Sequence, residues 1–348
     1  MSNLPPSGEI PRGAIRFNTD SNKPELWDGS QWAEFQLSTP NLGQGSDTQP
    51  GARGVYAGGQ AANTNTIDYI NISSTGDATD FGDLTQARLN PSGFASNTRG
   101  VICGGYPYPS AVISTIEYIT ISSTGNSIDS TFDLSGGRTY FSTLANSTRG
   151  LSVGGDPSGG GTEINTVEYV TIAALGNAVD FGDLTQARRY LSSCASSVRG
   201  VIGGGDAVTP ASAYQNTIDF ITISTLGNAQ DFGDLTNTVN NLTSCSNSTR
   251  GLFGGGTPGP SHLNTIDYVT IATTGNAANF GDLTYARGGL ASCSSSIRAC
   301  FAGGYQPGNN VNIIDYVNIT TEGDAVDFGD RTEAKNALAG FSNAHGGL

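Results

Sequence analysis

"VDFGDLTQARRY", residues 179–190, decides how this chain is read, because it does not stand alone. Near-copies occur at 79–90 (TDFGDLTQARLN), 230–241 (QDFGDLTNTVNN), 278–289 (ANFGDLTYARGG) and 326–337 (VDFGDRTEAKNA). A looser one, STFDLSGGRTYF, lies at 130–141. Self-similarity at a fixed period is the signature of a repeat architecture.

Taken singly, Asp180-Phe181-Gly182 would be the magnesium-binding tripeptide of a protein kinase. A catalytic Asp is needed once, beside a distant Lys and a catalytic loop. Here the tripeptide recurs, its Asp is Asn at 279, and no VAIK-type Lys or HRD-type loop exists. Phosphoryl transfer is set aside.

Arg53, Arg99, Arg149, Arg199, Arg250 and Arg298 each open a copy, at spacings of 46, 50, 50, 51 and 48 residues. A Gly-Gly pair follows each Arg at +5 and +6. An acid-aromatic pair comes next: Asp68-Tyr69, Glu117-Tyr118, Glu168-Tyr169, Asp219-Phe220, Asp267-Tyr268 and Asp315-Tyr316. In the second copy Phe132 is taken as the aromatic of the FGD element. Within residues 287–335, "GLASCSSS", "RACFAGG", "IIDYVNITTE" and "GDAVDFGD" read as four short strands divided by turn residues. Four strands in about 48 residues cannot bury both faces; stacked radially, six such units make a β-propeller. Gly-Gly ends the second strand where a Cβ would clash or need positive φ. The Phe of the FGD element is expected to plug the space between blades, and its Gly and Asp to shape the exit turn.

Composition agrees. The chain has 348 residues, 49 of them Gly, and only 13% charged, about half the globular average. Ser, Thr, Asn and Gly favour short strands and turns over helices. The net charge of −14 argues against nucleic acid and against an anionic membrane surface. No apolar run approaches the roughly 20 residues of a membrane helix, and the first residues lack the pattern of a signal peptide. The five cysteines form no CxxC and read as small buried hydrophobes. Cys293 and Cys300 are the one pair placed to face each other across a hairpin.

The arrangement resembles the kelch repeat family over residues 52–348, with Phe where kelch repeats usually have Trp. The resemblance implies an all-β fold, a six-bladed kelch-like propeller of four-stranded antiparallel blades. Kelch propellers serve many functions, so it says little about chemistry. The first copy lacks an inner strand, while the chain ends in "ALAGFSNAHGGL", which aligns with "PSGFASNTRGV" at 91–101. Residues 336–346 are therefore expected to supply that strand and close the ring, with His345 in the place of Arg99.

Length variation is concentrated in one loop class: the interval from Gly-Gly to the acid runs 9, 12, 13, 14, 11 and 11 residues. Insertions on one face often mark a binding surface. Tyr106, Tyr108, Tyr214, His262 and Tyr305 lie in these loops and suit stacking on sugar rings or contact with protein. Arg88, Arg138, Arg188, Arg287 and Lys335 precede new blades on the same face. Arg88, Arg188 and Arg287 are candidate anion contacts, against the structural alternative that they bond backbone between blades. With two His, a His-rich metal site is not expected. Two carboxylates three residues apart are too few for calcium. No cofactor, no catalytic constellation and no enzymatic activity are expected.

Residues 1–38 differ from the rest, and 39–52 read as a linker to the propeller at 53–348. "GAIRFNTDSNKPELWDGSQWAEF" reads as three short antiparallel strands holding both tryptophans, Trp27 and Trp32, and Phe17. Such a unit buries little alone and is expected to dock on a partner or self-associate. It resembles the short "GxIRFNTDTNKLEVYDGxxW" module of tailed-phage fibre and other virion proteins. Together with a kelch-like propeller it resembles structural proteins of tailed cyanobacterial phages. The resemblance implies a virion protein assembled in the host cytoplasm, a fibre or appendage component. Its N-terminal module would dock on other virion proteins and its loop face on a host surface glycan or protein. A head decoration or tail adaptor protein, and a carbohydrate-active enzyme, are the alternative readings.

Overall fold

A computed structural model of the chain describes residues 11–18, 23–27, 30–34, 52–60, 64–207 and 213–348. The chain divides into two units, 1–49 and 50–348. Apart from Ala52, the expected linker lies outside the described residues. In the first unit, Ile15–Asn18, Lys23–Trp27 and Trp32–Glu34 form one antiparallel sheet. Trp27 and Trp32 are direct cross-strand partners with rings 5.5 Å apart. The Arg16 guanidinium lies 4.2 Å over Trp32 while its Nε donates to Glu25 at 2.6 Å. Phe17 stands on the first strand opposite Pro24.

The second unit is all-β among the described residues: six four-stranded antiparallel blades in a propeller. Blade 4 shows the plan, with Ser192–Ala195 innermost, then Arg199–Gly203, Thr217–Thr222 and outermost Gln230–Asp234. The other inner strands are Ser92–Ala95 (blade 2), Ser142–Ala145 (3), Thr243–Ser246 (5) and Ala291–Ser294 (6). Blade 1 takes its inner strand, Ala339–Ser342, from the far end of the chain. This strand pairs with Arg53–Ala57, Phe341 opposite Val55, so the expected closure and blade number both hold.

The repeated residues have visible causes. Gly58 and Gly59 have φ of 68° and 109°, and a Cβ on them would come within 2.9 Å of the Arg88 carbonyl oxygen and 2.8 Å of that of Asn336. Each copy-opening Arg lies over the aromatic of its own acid-aromatic pair, its guanidinium carbon 4.4 to 5.0 Å from the ring centre. The same Arg reaches the next blade: Arg53 donates to the Ile121 carbonyl at 2.8 Å, and Arg298 donates to the Ile72 carbonyl at 3.1 Å, across the closure. Phe81 is the extra residue of a bulge, since Ile67 faces Gly82 while Asp68 faces Asp80. It is buried in a cluster shared by blades 1 and 2 and meets Tyr69 edge-on.

Three expectations are corrected. The Gly of the FGD element does not serve an exit turn. Gly82 has φ 145° because the next blade's turn passes against it, and a Cβ would sit 2.6 Å from the Gly125 carbonyl. In blade 2 the plug position is held by buried Ser130, and Phe132 is 37% exposed. Three residues, Ser130, Thr131 and Phe132, lie between the paired Asp129 and Asp133 where blade 1 has two, so counting to the next aromatic overshoots. His345 does not take the place of Arg99. It turns across the ring axis, where its Nε2 bonds the Ala95 carbonyl of blade 2 at 2.8 Å, while Gly346 N donates to Ser246 O of blade 5 at 2.9 Å.

All five cysteines are free and buried. Cys293 and Cys300 are direct register partners across the blade 6 hairpin, as their spacing suggested; Cys293 Sγ contacts the Tyr56 hydroxyl at 3.2 Å.

Candidate functional site

The linkers that carry the chain from blade to blade are fixed by one recurring clamp. In five of them a Thr four residues past the FGD-type Phe bonds the acid of the blade being entered, and after blade 2 Ser135, five past Ser130, does so. Thr185 donates its N–H and hydroxyl to Asp219 at 3.2 and 2.6 Å. Arg188 adds an ion pair to Asp219 at 2.8 Å and donates to the Gly204 and Thr217 carbonyls. Arg287 does the same with Asp315 at 2.8 Å, Arg138 with Glu168, and Arg88 with Glu117. Burial pulls the Arg188 guanidinium below its ordinary range, and Asp219 opposes that shift.

Arg88, Arg188 and Arg287 are therefore corrected as ligand candidates. Each side chain is fully buried and its charge is spent inside the fold. At the closure the cation has moved: Arg331, where other copies have Leu, pairs with Asp68 at 2.6 Å, and Lys335 pairs with Glu333 instead. Blade 5 has Val239 in the Arg position. Its Asp267, buried, is left with the N–H and hydroxyl of Thr236. Burial pushes Asp267 upward, and those two bonds hold it back.

Two residues past each clamp position, the chain turns down into an inner strand. The six residues there are Asn90, Tyr140, Tyr190, Asn241, Gly289 and Ala337. All have left-handed backbone, with φ of 48° to 57° at the five non-glycines and 66° at Gly289. They are held by backbone bonds running around the axis: Tyr190 N to Tyr140 O, Asn241 N to Tyr190 O, Gly289 N to Asn241 O, Ala337 N to Gly289 O and Asn90 N to Ala337 O. This collar stands between two cavities. Outside it is a mouth of about 280 Å³, bordered also by Tyr106, His262 and Tyr305. Beneath it is a chamber of about 120 Å³ between the inner strands.

The chamber wall is a belt of hydroxyls. Ser92 meets Thr143, Ser142 meets Ser193, Ser192 meets Ser244 and Thr243 meets Ser292, at 2.7 to 2.9 Å. Below the belt, a cavity of about 60 Å³ is lined by His345. There the chain end crosses the axis, reaching from blade 2 to blade 5, and seals that end. Among the described residues the funnel opens on the loop face, and the tail lies across its other end.

Of the loop residues expected at a binding face, three come together at the mouth. Tyr305 meets His262 edge-on, ring centres 5.7 Å apart. Tyr106 pairs with Leu89 of the adjoining linker. Tyr108 packs on Tyr106 away from the mouth, and Tyr214 pairs with Asp206 in a small ribbon. The residues that sequence reading missed are Tyr140 and Tyr190, whose rings lie 4.1 Å apart at the mouth. Their signal was positional, since residue type changes at +2 from the clamp while the interval does not. Among the described residues, none that lines the mouth or the chamber bears a formal charge at neutral pH. Burial pushes His262 below the usual histidine range and holds the Tyr190 hydroxyl well above the usual tyrosine range.

Fold and site together define a class: a six-bladed β-propeller with an uncharged axial funnel crossed at its far end by the chain's last residues. Compared with models of known families and with curated proteins, the chain matches none.

Proposed function

We propose that this chain is a non-enzymatic virion structural protein of the kelch type, a fibre or appendage component whose loop face binds a neutral glycan on a host surface. One observation carries the binding half: in a chain of net charge −14, the axial mouth on the loop face is lined, among the described residues, by aromatic rings, amides and hydroxyls without a formal charge. Apolar ring faces with a few placed polar groups suit a polyhydroxylated ligand without charge. The virion half is supported by the fibre-type N-terminal stretch and its paired Trp27 and Trp32, which would dock the chain on other virion proteins or on its own copies.

The test is placement on the particle. Particles of a phage encoding this chain are purified, the chain is identified by mass spectrometry, and its position is found by electron cryomicroscopy. The reading expects residues 1–38 against another virion protein and the loop face outward. Absence from the particle, or a loop face covered by neighbouring virion proteins, overturns it.

A further inference from the structure

We propose that the axial funnel takes the terminal ring of a neutral glycan end-on, with the Tyr140–Tyr190 pair as its stacking wall. This rests on the reading of the loop face as a glycan-binding surface and adds where, how and which part of the glycan is held. Three features point the same way. The funnel is blind, because the chain end from His345 onward crosses the far end of the axis. A through-running chain has no exit, so only an end fits.

The collar is also lopsided. By order around the six-fold collar, Tyr140 and Tyr190 stand opposite Gly289 and Ala337, with Asn90 and Asn241 on the two flanks. At the collar one side carries two aromatic rings, the opposite side only Gly and Ala, and an amide stands at each flank; above Gly289 the mouth is bordered by His262 and Tyr305. A saccharide ring needs this set: an apolar face for its C–H groups, and in-plane donors and acceptors for its hydroxyls. The volume of about 280 Å³ lies near the roughly 300 Å³ at which sites for drug-sized ligands begin, so the mouth suits one ring rather than several.

The wall is also prebuilt. Tyr140 and Tyr190 hold φ of 55° and 53°, a backbone region that non-glycine residues occupy only when their surroundings enforce it. Here the collar bonds enforce it. Nothing in the fold demands Tyr at these positions, since Asn, Gly and Ala satisfy the same backbone elsewhere in the ring.

The full chain is applied to an array of neutral and anionic oligosaccharides. The strongest neutral binder is then measured by titration calorimetry, alongside the same oligosaccharide blocked at its non-reducing terminus. Two opposite variants probe the funnel: Tyr140→Ala removes the wall, and Ala337→Trp fills the bare side at a position already left-handed. Tyr108→Ala and Tyr214→Ala serve as controls, with folding of each variant checked by its thermal transition. The expected result is a loss of at least tenfold in affinity for both funnel variants and for the blocked glycan, and less than twofold for the controls. Neutral-glycan binding that survives Ala337→Trp or terminal blocking overturns the funnel proposal and leaves the glycan reading standing. No neutral-glycan binding by the unaltered chain overturns both.

Discussion

The clamps and the collar lie two residues apart in every linker, yet they treat sequence in opposite ways. At the clamp the same chemistry returns in five of six linkers: a hydroxyl residue and a cation on the acid of the blade being entered, as in Thr185, Arg188 and Asp219. At the collar the backbone is the same six times and the side chain is Asn, Tyr, Tyr, Asn, Gly and Ala. The clamp residue is dictated because a buried carboxylate without partners is expensive. The collar residue is not dictated, because the main chain bonds to itself and the side chain is left to face the mouth. Where the fold does not choose the residue, another requirement is free to choose it.

The comparison is broken most severely by opening the ring. Removing residues 338–348 deletes the inner strand of blade 1 and the seal. It leaves the Arg53–Ala57 strand without its inner neighbour and exposes the apolar face that Phe341 covers. Calorimetry is expected to show loss of the single cooperative transition; an unchanged transition would show that closure is dispensable.

Next comes a clamp. Arg188→Ala strands Asp219 as an uncompensated buried charge, and such breaks cost about 3–5 kcal/mol. Urea unfolding at pH 7 measures it, and a loss under 1 kcal/mol would mean that the Thr185 bonds suffice alone.

The smallest effect sharpens the contrast within the clamps themselves. Val239→Arg supplies the missing partner of Asp267 and is expected to raise stability by about 1 kcal/mol at pH 7. The sign with pH follows from Asp267 being shifted upward in the folded state. Its ionised form is a liability above that raised pKa, and the liability disappears as acidification protonates it. The gain of the variant should therefore shrink toward pH 4. A gain in melting temperature that is equal at both pH values would contradict the assignment.

Blade number, closure and the role of Gly-Gly were legible in the sequence because each rests on periodicity. What escaped shows where periodicity stops. Phe132 was misread because a wide bulge shifts the count, and spacing alone cannot distinguish a bulged residue from a paired one. The Arg at the clamp was legible as a ring of cations, but its burial was not, since burial depends on the acid some 30 residues later folding back onto the linker. Tyr140 and Tyr190 were invisible as a pair because they are 50 residues apart, and only the collar's backbone brings them together. His345 departed from its aligned position because, past Ser342, there is no hairpin to continue and the chain is free to turn toward the axis.

The six arginines that open the copies all reach in one rotational sense, and this bears on how the molecule is made. Arg53 bonds a carbonyl that emerges from the ribosome 68 residues later, at Ile121. Arg99, Arg149, Arg199 and Arg250 stand in the same relation to blades not yet synthesised. At the usual pace of about 5–20 residues per second, each newly made blade waits some seconds for its neighbour. Only Arg298 meets a partner already present, Ile72 of the first blade. The growing chain thus carries one open flank forward at a time, and the oldest blade keeps its own flank bare until the last arrives.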